Sequence, residues 1–295
     1  MQQKLLKVEE AAKILNVGQE SVRRYIRTGE LKSVALGHRV FRITETDLDS
    51  FIQQRQISIK AQVSSVGGVK AGSIWHSPLN VYWHLQKETE KIGSEKLEND
   101  GKYQDRREAR VAAVTALILF RLTNKPAFVQ LYKPDPPDAL IMQRSVEVKG
   151  QQDISQIEIT RYLGNKNESL LDQLKRNKIQ PGINKYSENY ILVVNIYKNV
   201  GVNFDEINTY LLENKTPFPV WCIQEVETRP DTICEVTILN PFLEKITVNL
   251  GEAAFVYDKL KLPGVIHTRR VGRADLVRME NAEKSYLAPW ETIGK

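Results

Sequence analysis

The sequence predicts a mixed α/β (α+β) protein of two domains: a small one made of short helices and a hairpin, then a larger one built on a sheet. Three observations carry this. The chain is 295 residues long and 41% apolar, enough for two domains with cores of their own. Its periodic patterning dissolves between Gln53 and Ser73, in a run that includes Ser64-Ser-Val-Gly-Gly-Val-Lys-Ala-Gly, so a linker over 56–74 separates domains at 1–55 and 75–295. Beyond the linker a long Ala/Leu-rich run precedes several apolar β-like runs, as when a helix and a sheet share one core.

In the small domain, Leu5 to Gly18 predicts a first helix with Ala11, Ala12, Ile14 and Leu15 on one apolar face, closed by a turn over Asn16 to Gly18. Gln19 to Gly29 predicts a second, with Val22, Tyr25 and Ile26 inward and Arg23, Arg24 and Arg27 outward. Two helices joined by a tight turn, the second with a basic face, describe a helix-turn-helix. Leu31 to Ile43 alternates as a hairpin with Gly37-His38 at its tip, and Thr44 to Ile52 opens a closing helix.

The block Val8-Glu9-Glu10-Ala11-Ala12, Val17-Gly18, Ser21-Val22-Arg23-Arg24-Tyr25-Ile26, Gly29-Glu30-Leu31, Gly37-His38-Arg39, Arg42-Ile43 and Asp47-Leu48 with Phe51 resembles the excisionase-family, or MerR-like, winged helix-turn-helix. That resemblance implies a DNA-binding domain whose second helix meets the major groove through Ser21, Arg23, Arg24 and Arg27. Its wing would reach the backbone through His38, Arg39 and Arg42. The open alternative is a solvated arginine face or a protein-binding module.

In the large domain, Ile74 to Leu85 gathers Trp75, His76, Tyr82, Trp83 and His84 at helical spacing, read as a packing face. Lys87 to Arg107 predicts an exposed helix and loop. Arg106 to Leu122 predicts a largely buried helix ended by Asn124-Lys125-Pro126. Two β-rich runs follow, one beginning at Phe128 with Asp138 opening its second half, the other at Gln156 to Tyr162. A helix over Glu168 to Lys178 and a buried strand over Asn189 to Tyr197 complete the order helix, three strands, helix, strand. Farther on come a helix over Asn203 to Asn214, a strand over Pro219 to Val226, a set of short strands over Asp231 to Val256, and a basic tail with Arg269, Arg270, Arg273 and Arg278.

Strand alternation puts Ile157 and Ile159 on a core face and Glu158 and Thr160 on the other. Beside Asp138 at the head of the neighbouring strand, Glu158 forms a carboxylate pair of the sort that holds Mg²⁺ with water and substrate phosphate. Two ordinary solvent-facing acids are the open alternative. A second register also stands: Glu147-Val148-Lys149 contains a literal Glu-x-Lys within reach of Asp138 or Asp135 through a hairpin turning at Gln143-Arg144. It is disfavoured because Gly150 to Asp153 and then another strand follow it, where a helix is wanted.

Residues 105–225 in this order, with acids on the second and third strands, resemble the core of the PD-(D/E)xK nuclease-like superfamily. The resemblance makes Pro137-Asp138 the PD element, Glu158-Ile159-Thr160 the (D/E)xK element and Glu108 the acid of the first helix. It implies an endodeoxyribonuclease in which Asp138 and Glu158, with the Ile159 carbonyl, hold Mg²⁺ or Mn²⁺. Thr160 stands where the family has lysine; Lys149 is a candidate for the missing cation if its hairpin folds over the site, with a charged hairpin tip without chemistry as the open and favoured alternative.

With 42 Lys+Arg against 36 Asp+Glu the net charge is +6, which suits a polyanion partner. No apolar run reaches membrane-spanning length and Met1-Gln-Gln-Lys is no signal peptide, so a cytoplasmic, nucleoid-associated protein is expected. Cys222 and Cys234 read as buried thiols. The expected partner is double-stranded DNA, bound by a homodimer as helix-turn-helix proteins often are, with a protein partner in a phage-defence or mobile-element complex as a further expectation. A metal-dependent endonuclease is the leading reading. A non-catalytic DNA-binding regulator or scaffold with a degenerate nuclease fold stays open.

Overall fold

The computed structural model describes residues 5–15, 19–27, 31–37, 40–51, 73–132, 137–144, 152–164, 168–180, 190–197, 200–227, 232–270, 277–282 and 288–293. They fall into two compact units, Met1–Ala61 and Gln62–Lys295. The predicted linker lies outside the described residues as far as 72, and Ile74 already opens a strand of the second unit.

The first unit contains β1 (Leu5–Lys7), α1 (Val8–Leu15), α2 (Gln19–Arg27), β2 (Val34–Gly37), β3 (Val40–Thr44) and a helix α3 over 45–51. The strands form an antiparallel sheet in the order β1-β3-β2. The first helix was expected to begin at Leu5; instead Leu5–Lys7 is a strand. Its pattern explains why: Leu6 is buried between two exposed neighbours, the period of a strand. The Lys7 N–H then donates to Glu10 Oε2 at 2.7 Å, which starts α1 one turn later. Ala11, Ala12, Val22, Tyr25, Leu31, Ile43, Leu48 and Phe51 form the core, with the Tyr25 and Phe51 rings 5.2 Å apart. Ile14 was expected in that core but is 56% exposed, because Ala11 and Ala12 already fill the seam against α2. Thr44 closes β3 and caps α3, its Oγ1 accepting the Asp47 N–H at 3.0 Å and donating to Asp47 Oδ2 at 2.6 Å.

Among the described residues the second unit holds one mixed sheet of ten strands. They are β4 (Ile74–His76), β5 (Ala127–Leu131), β6 (Ala139–Arg144), β7 (Gln152–Tyr162), β8 (Tyr190–Ile196), β9 (Val220–Glu227), β10 (Ile233–Leu239), β11 (Glu244–Asn249), β12 (Val265–Arg270) and β13 (Val277–Ala282). Their order is β11-β10-β9-β8-β7-β6-β5-β4-β12-β13. Among the described strands β8 runs parallel to both β7 and β9, and the other pairings of this sheet are antiparallel.

Helices cover the sheet on both faces, which is why β8 is almost wholly apolar and buried. On one face lies α6 (Gln104–Thr123), whose Ala109, Ala112, Ala113 and Ala116 let it sit close over β5 to β7. Asn124 ends it in the left-handed conformation at φ 55, its N–H donating to the Phe120 carbonyl. On the opposite face, α7 (Leu170–Leu174) and α8 (Phe204–Glu213) pack Leu170, Leu174, Ile207 and Leu211 against Leu192, Val194 and Val220.

Two stretches depart from expectation. The predicted helical aromatic cluster divides: Ile74–His76 is a strand, and the helix α4 (Pro78–Ile92) begins only after Ser77, whose Oγ accepts the Asn80 N–H. A short helix α5 (Ser94–Asn99) then leads to α6. Trp75 is buried between strands, whereas Trp83 is 47% exposed beneath the Lys87 ammonium, 3.6 Å from its ring centre. Residues expected to be all strand near 231–256 include the helix α9 (Leu250–Lys259), capped by Asn249 and anchored by Leu250, Ala253 and Tyr257.

Candidate active site

The site lies where β6 and β7 part company. Ala139, the first residue of β6, pairs with Ile157. Past that point β7 continues to Tyr162, paired on its other side with β8. Asp138 occupies the divergence. Its N–H donates to the Ile157 carbonyl at 3.0 Å, and its Oδ2 accepts the Ile159 N–H at 2.6 Å. In a strand a residue's N–H and C=O point the same way, so the Ile159 carbonyl also faces the Asp138 side.

Glu158 was expected to face solvent or a substrate groove. It is only 3% exposed, because α7 and the turn after it cover the second face of the sheet. A buried carboxylate needs a partner, and it has one in Lys178, whose Nζ hydrogen-bonds Glu158 Oε1. The route by which Lys178 arrives is local. After Leu174 the helix widens into a π-turn over Lys175–Ile179. Leu174 and Ile179 are both buried although five residues apart, the spacing of a π-turn. In an α-helix the residue beneath Leu174 would be Lys178; the wider turn gives that place to Ile179 and releases Lys178 toward Glu158.

Lys178 is the residue sequence reasoning missed. The register that used Glu147 and Lys149 falls on residues outside those described. The hairpin turn proposed for it at Gln143-Arg144 is corrected: both belong to β6 and pair with Asp153 and Gln152. Thr160 lies on β7 opposite Val194, one pleat beyond Glu158. Glu108 projects from the start of α6, where it accepts from Gln104 Nε2 at 2.7 Å.

Electrostatics tie the acids together. Burial, then repulsion from Glu158, pushes the Asp138 carboxyl up to about 7; Glu108 adds to the rise, while the Ile159 N–H and Lys178 oppose it. Glu158 Oε2 is buried with no hydrogen-bond partner among the described residues. Two close carboxylates, one resisting ionisation and one with an orphaned oxygen, suit a divalent cation: Mg²⁺ is commonly held by one or two carboxylates and completed by water. Among the described residues no group of three or more His, Cys, Asp or Glu side chains could hold a metal ion, so any ion here would rest on the Asp138–Glu158 pair.

Other candidates resolve into packing. The His76 ring is buried, accepting from Asn80 Nδ2 at 3.0 Å and facing Thr292 Oγ1 at 3.2 Å, and burial drives its pKa down to about 3. Cys222 and Cys234 are buried free thiols, and burial pushes Cys234 up to about 12.

In the first unit Arg23 and Arg27 are exposed on α2, while Val22 and Tyr25 face the core. Arg42 is half-buried on β3, donating to the Phe41 carbonyl at 3.0 Å. His38 and Arg39 lie outside the described residues, as do the side chains of Ser21, Arg24, Arg269, Arg270 and Arg278.

Among the described residues no helix is long and apolar enough to cross a membrane. Comparison with curated proteins and with solved structures gave no match. Comparison with protein families matched residues 5–56 to a helix-turn-helix domain. That stretch spans β1 through α3, and the match supports DNA binding by this unit.

Proposed function

We propose that the helix-turn-helix unit delivers a phosphodiester-cleaving sheet domain to double-stranded DNA. The observation that carries this is the meeting of Asp138, Glu158 and Lys178 at the divergence of β6 and β7. The acids are two of the three groups that metal-dependent nucleases of the PD-(D/E)xK type use. The lysine absent from position 160 has a counterpart at Lys178, from the other side of Glu158.

Asp138 and Glu158, with the Ile159 carbonyl, would hold Mg²⁺ or Mn²⁺, which would supply Lewis-acid polarisation of the phosphate and a more acidic attacking water. The Ile159 N–H fixes the Asp138 carboxylate in the site. Lys178 holds Glu158 by one oxygen and leaves the other free. Its ammonium cannot act as a base while charged; it orients the attacking water and offsets the charge that builds on the phosphoryl oxygens as the P–O bond breaks. Glu108 adds negative potential at Asp138 and so favours a cation there. On the first unit, Arg23 and Arg27 would face the major groove.

One observation favours a second reading, a DNA-binding scaffold without catalysis: Glu158 is nearly inaccessible and already neutralised by Lys178. Incubation of supercoiled plasmid with Mg²⁺, Mn²⁺ or EDTA separates the two, with wild type compared to Asp138→Asn and Lys178→Met after all are shown to bind duplex DNA. Metal-dependent nicking lost in both variants supports the nuclease. Equal cutting by wild type and Asp138→Asn refutes it, and binding without any cutting selects the scaffold.

A further inference from the structure

On the α6 face of the sheet, immediately beyond the acid site, lies a cleft of about 260 Å³. Its floor is Ile159 and Arg161 of β7 with Asn195 of β8, and its wall is the first turns of α6 with Glu98. It shares Ile159, Thr160 and Glu108 with the candidate active site. Asp138 adjoins it through Ile159, whose N–H its carboxylate holds.

The cleft is lined by three arginines, yet it is not a phosphate site. Arg107 donates to the Leu97 and Asp100 carbonyls, each at 2.7 Å. Arg110 bridges Glu98 and Glu225 at 2.7 and 2.5 Å; burial alone would lower its pKa, and these two carboxylates more than reverse that. Arg161 donates to the Glu98 carbonyl at 3.1 Å, and its guanidinium lies 3.7 Å from the Glu98 carboxylate. Three cations thus face the three anions Glu98, Glu108 and Glu225. No surplus positive charge remains to hold a phosphate.

What the cleft does offer is neutral and directional. The Asn195 amide lines it without a hydrogen-bond partner among the described residues. Next to the cleft, the lining residue Arg161 has its guanidinium 5.7 Å from the ring centroid of Tyr197, which is 36% exposed. An amide presents a donor and an acceptor side by side, the pattern that reads a base edge. An exposed aromatic face is a stacking platform for a base. At roughly 30 Å³ per water the cleft holds a ring system, and it falls below the ~300–1,000 Å³ of pockets for drug-sized ligands.

We infer that this cleft is a nucleobase-binding subsite, in which Asn195 hydrogen-bonds the edge and Tyr197 stacks on the face of a base next to the scissile phosphate. The inference rests on the proposed phosphodiester-cleaving role of Asp138 and Glu158. It gives the sheet domain its own contact with an unstacked nucleotide, so strand ends, mismatches and single-stranded segments are the favoured substrates.

The test uses the full chain in EDTA and measures NMR saturation transfer from protein to each free 2′-deoxynucleoside, with ribose 5-phosphate as the base-free control. Base protons should saturate in wild type. Asn195→Leu and Tyr197→Ala, each shown to be folded by its denaturation midpoint, should weaken binding about tenfold, the loss of roughly 1.4 kcal/mol. No saturation in wild type, unchanged binding in both cleft variants, or displacement of the nucleoside by ribose 5-phosphate would overturn the subsite. Nucleoside binding that persists in a protein that never cuts DNA keeps the subsite and removes only the nuclease.

Discussion

Asp138→Asn should make the sheet domain more stable while removing its proposed chemistry, and the size of the gain follows from the site. In the native protein the carboxyl is lifted from 3.8 to about 7, first by burial and then by Glu158. At 1.36 kcal/mol per pKa unit, about three units amount to roughly 4 kcal/mol. A folded pKa above the unfolded one means that the native state binds the extra proton. The associated stability is complete below about pH 4 and is lost as pH rises through about 7. Asparagine avoids that loss, and its side-chain oxygen can still accept the Ile159 N–H. The variant should therefore match wild type near pH 4 and exceed it by a few kcal/mol, at most ~4, at pH 8. Urea denaturation of EDTA-treated protein followed by tryptophan fluorescence reads this directly. The chain has four tryptophans, at 75, 83, 221 and 290, all within the second unit. A gain independent of pH, or a variant less stable than wild type at pH 8, refutes the electrostatic account. Adding Mg²⁺ should then stabilise wild type, by ~2.7 kcal/mol at a hundredfold excess over Kd, and leave Asp138→Asn nearly unmoved.

Other perturbations test other parts of the molecule. Lys178→Met strands the Glu158 carboxylate in the sheet and should cost ~3–5 kcal/mol in the same denaturation assay; a loss under 1 kcal/mol would mean the ion pair is incidental. Arg23→Ala and Arg27→Ala should each weaken duplex binding and lower the slope of log K against log salt by about 1, measured by fluorescence anisotropy, if each neutralises one phosphate. Gly164 sits at φ +74 just after β7, and a Cβ there would lie 2.6 Å from Val200 Cγ2. Gly164→Ala should therefore lower stability by ~1–3 kcal/mol, and a neutral effect would show that the β7–α7 turn can relax.

The parts of the fold written in short-range periodicity were legible in the sequence. Arg23, Tyr25 and their neighbours announce α2 because helical spacing separates the core side from the basic side within nine residues. The alanines of α6 and the continuous apolar run of β8 do the same for a helix lying on a sheet covered from both sides. The closeness of Asp138 and Glu158 was legible because each sits at or in a predicted strand. Lys178 was not, since nothing in Lys-Arg-Asn-Lys-Ile says that the helix widens there, and without that turn the residue would point elsewhere. The burial of Glu158 was hidden for a related reason: alternation tells which residues share a face, and only tertiary packing tells what covers it. The strand at Leu5–Lys7 escaped because three residues are too few to show a period, and their pairing depends on Ile43, nearly forty positions away.

The sheet's connectivity also fixes an order of events during synthesis. β4 touches β5 through a single residue pair, His76 with Val129, and takes the rest of its register from β12, through Val265, Ile266 and His267. Those partners lie almost two hundred residues downstream. The first unit ends at Ala61. About 200 residues separate Ala61 from Val265, so at ~5–20 residues per second the ribosome takes roughly 10–40 s between the two points. Throughout that interval the nascent chain holds every residue of the first unit but an incomplete sheet, and closure over so long a separation is intrinsically slow. A protein built this way has its small unit complete well before its large sheet can close.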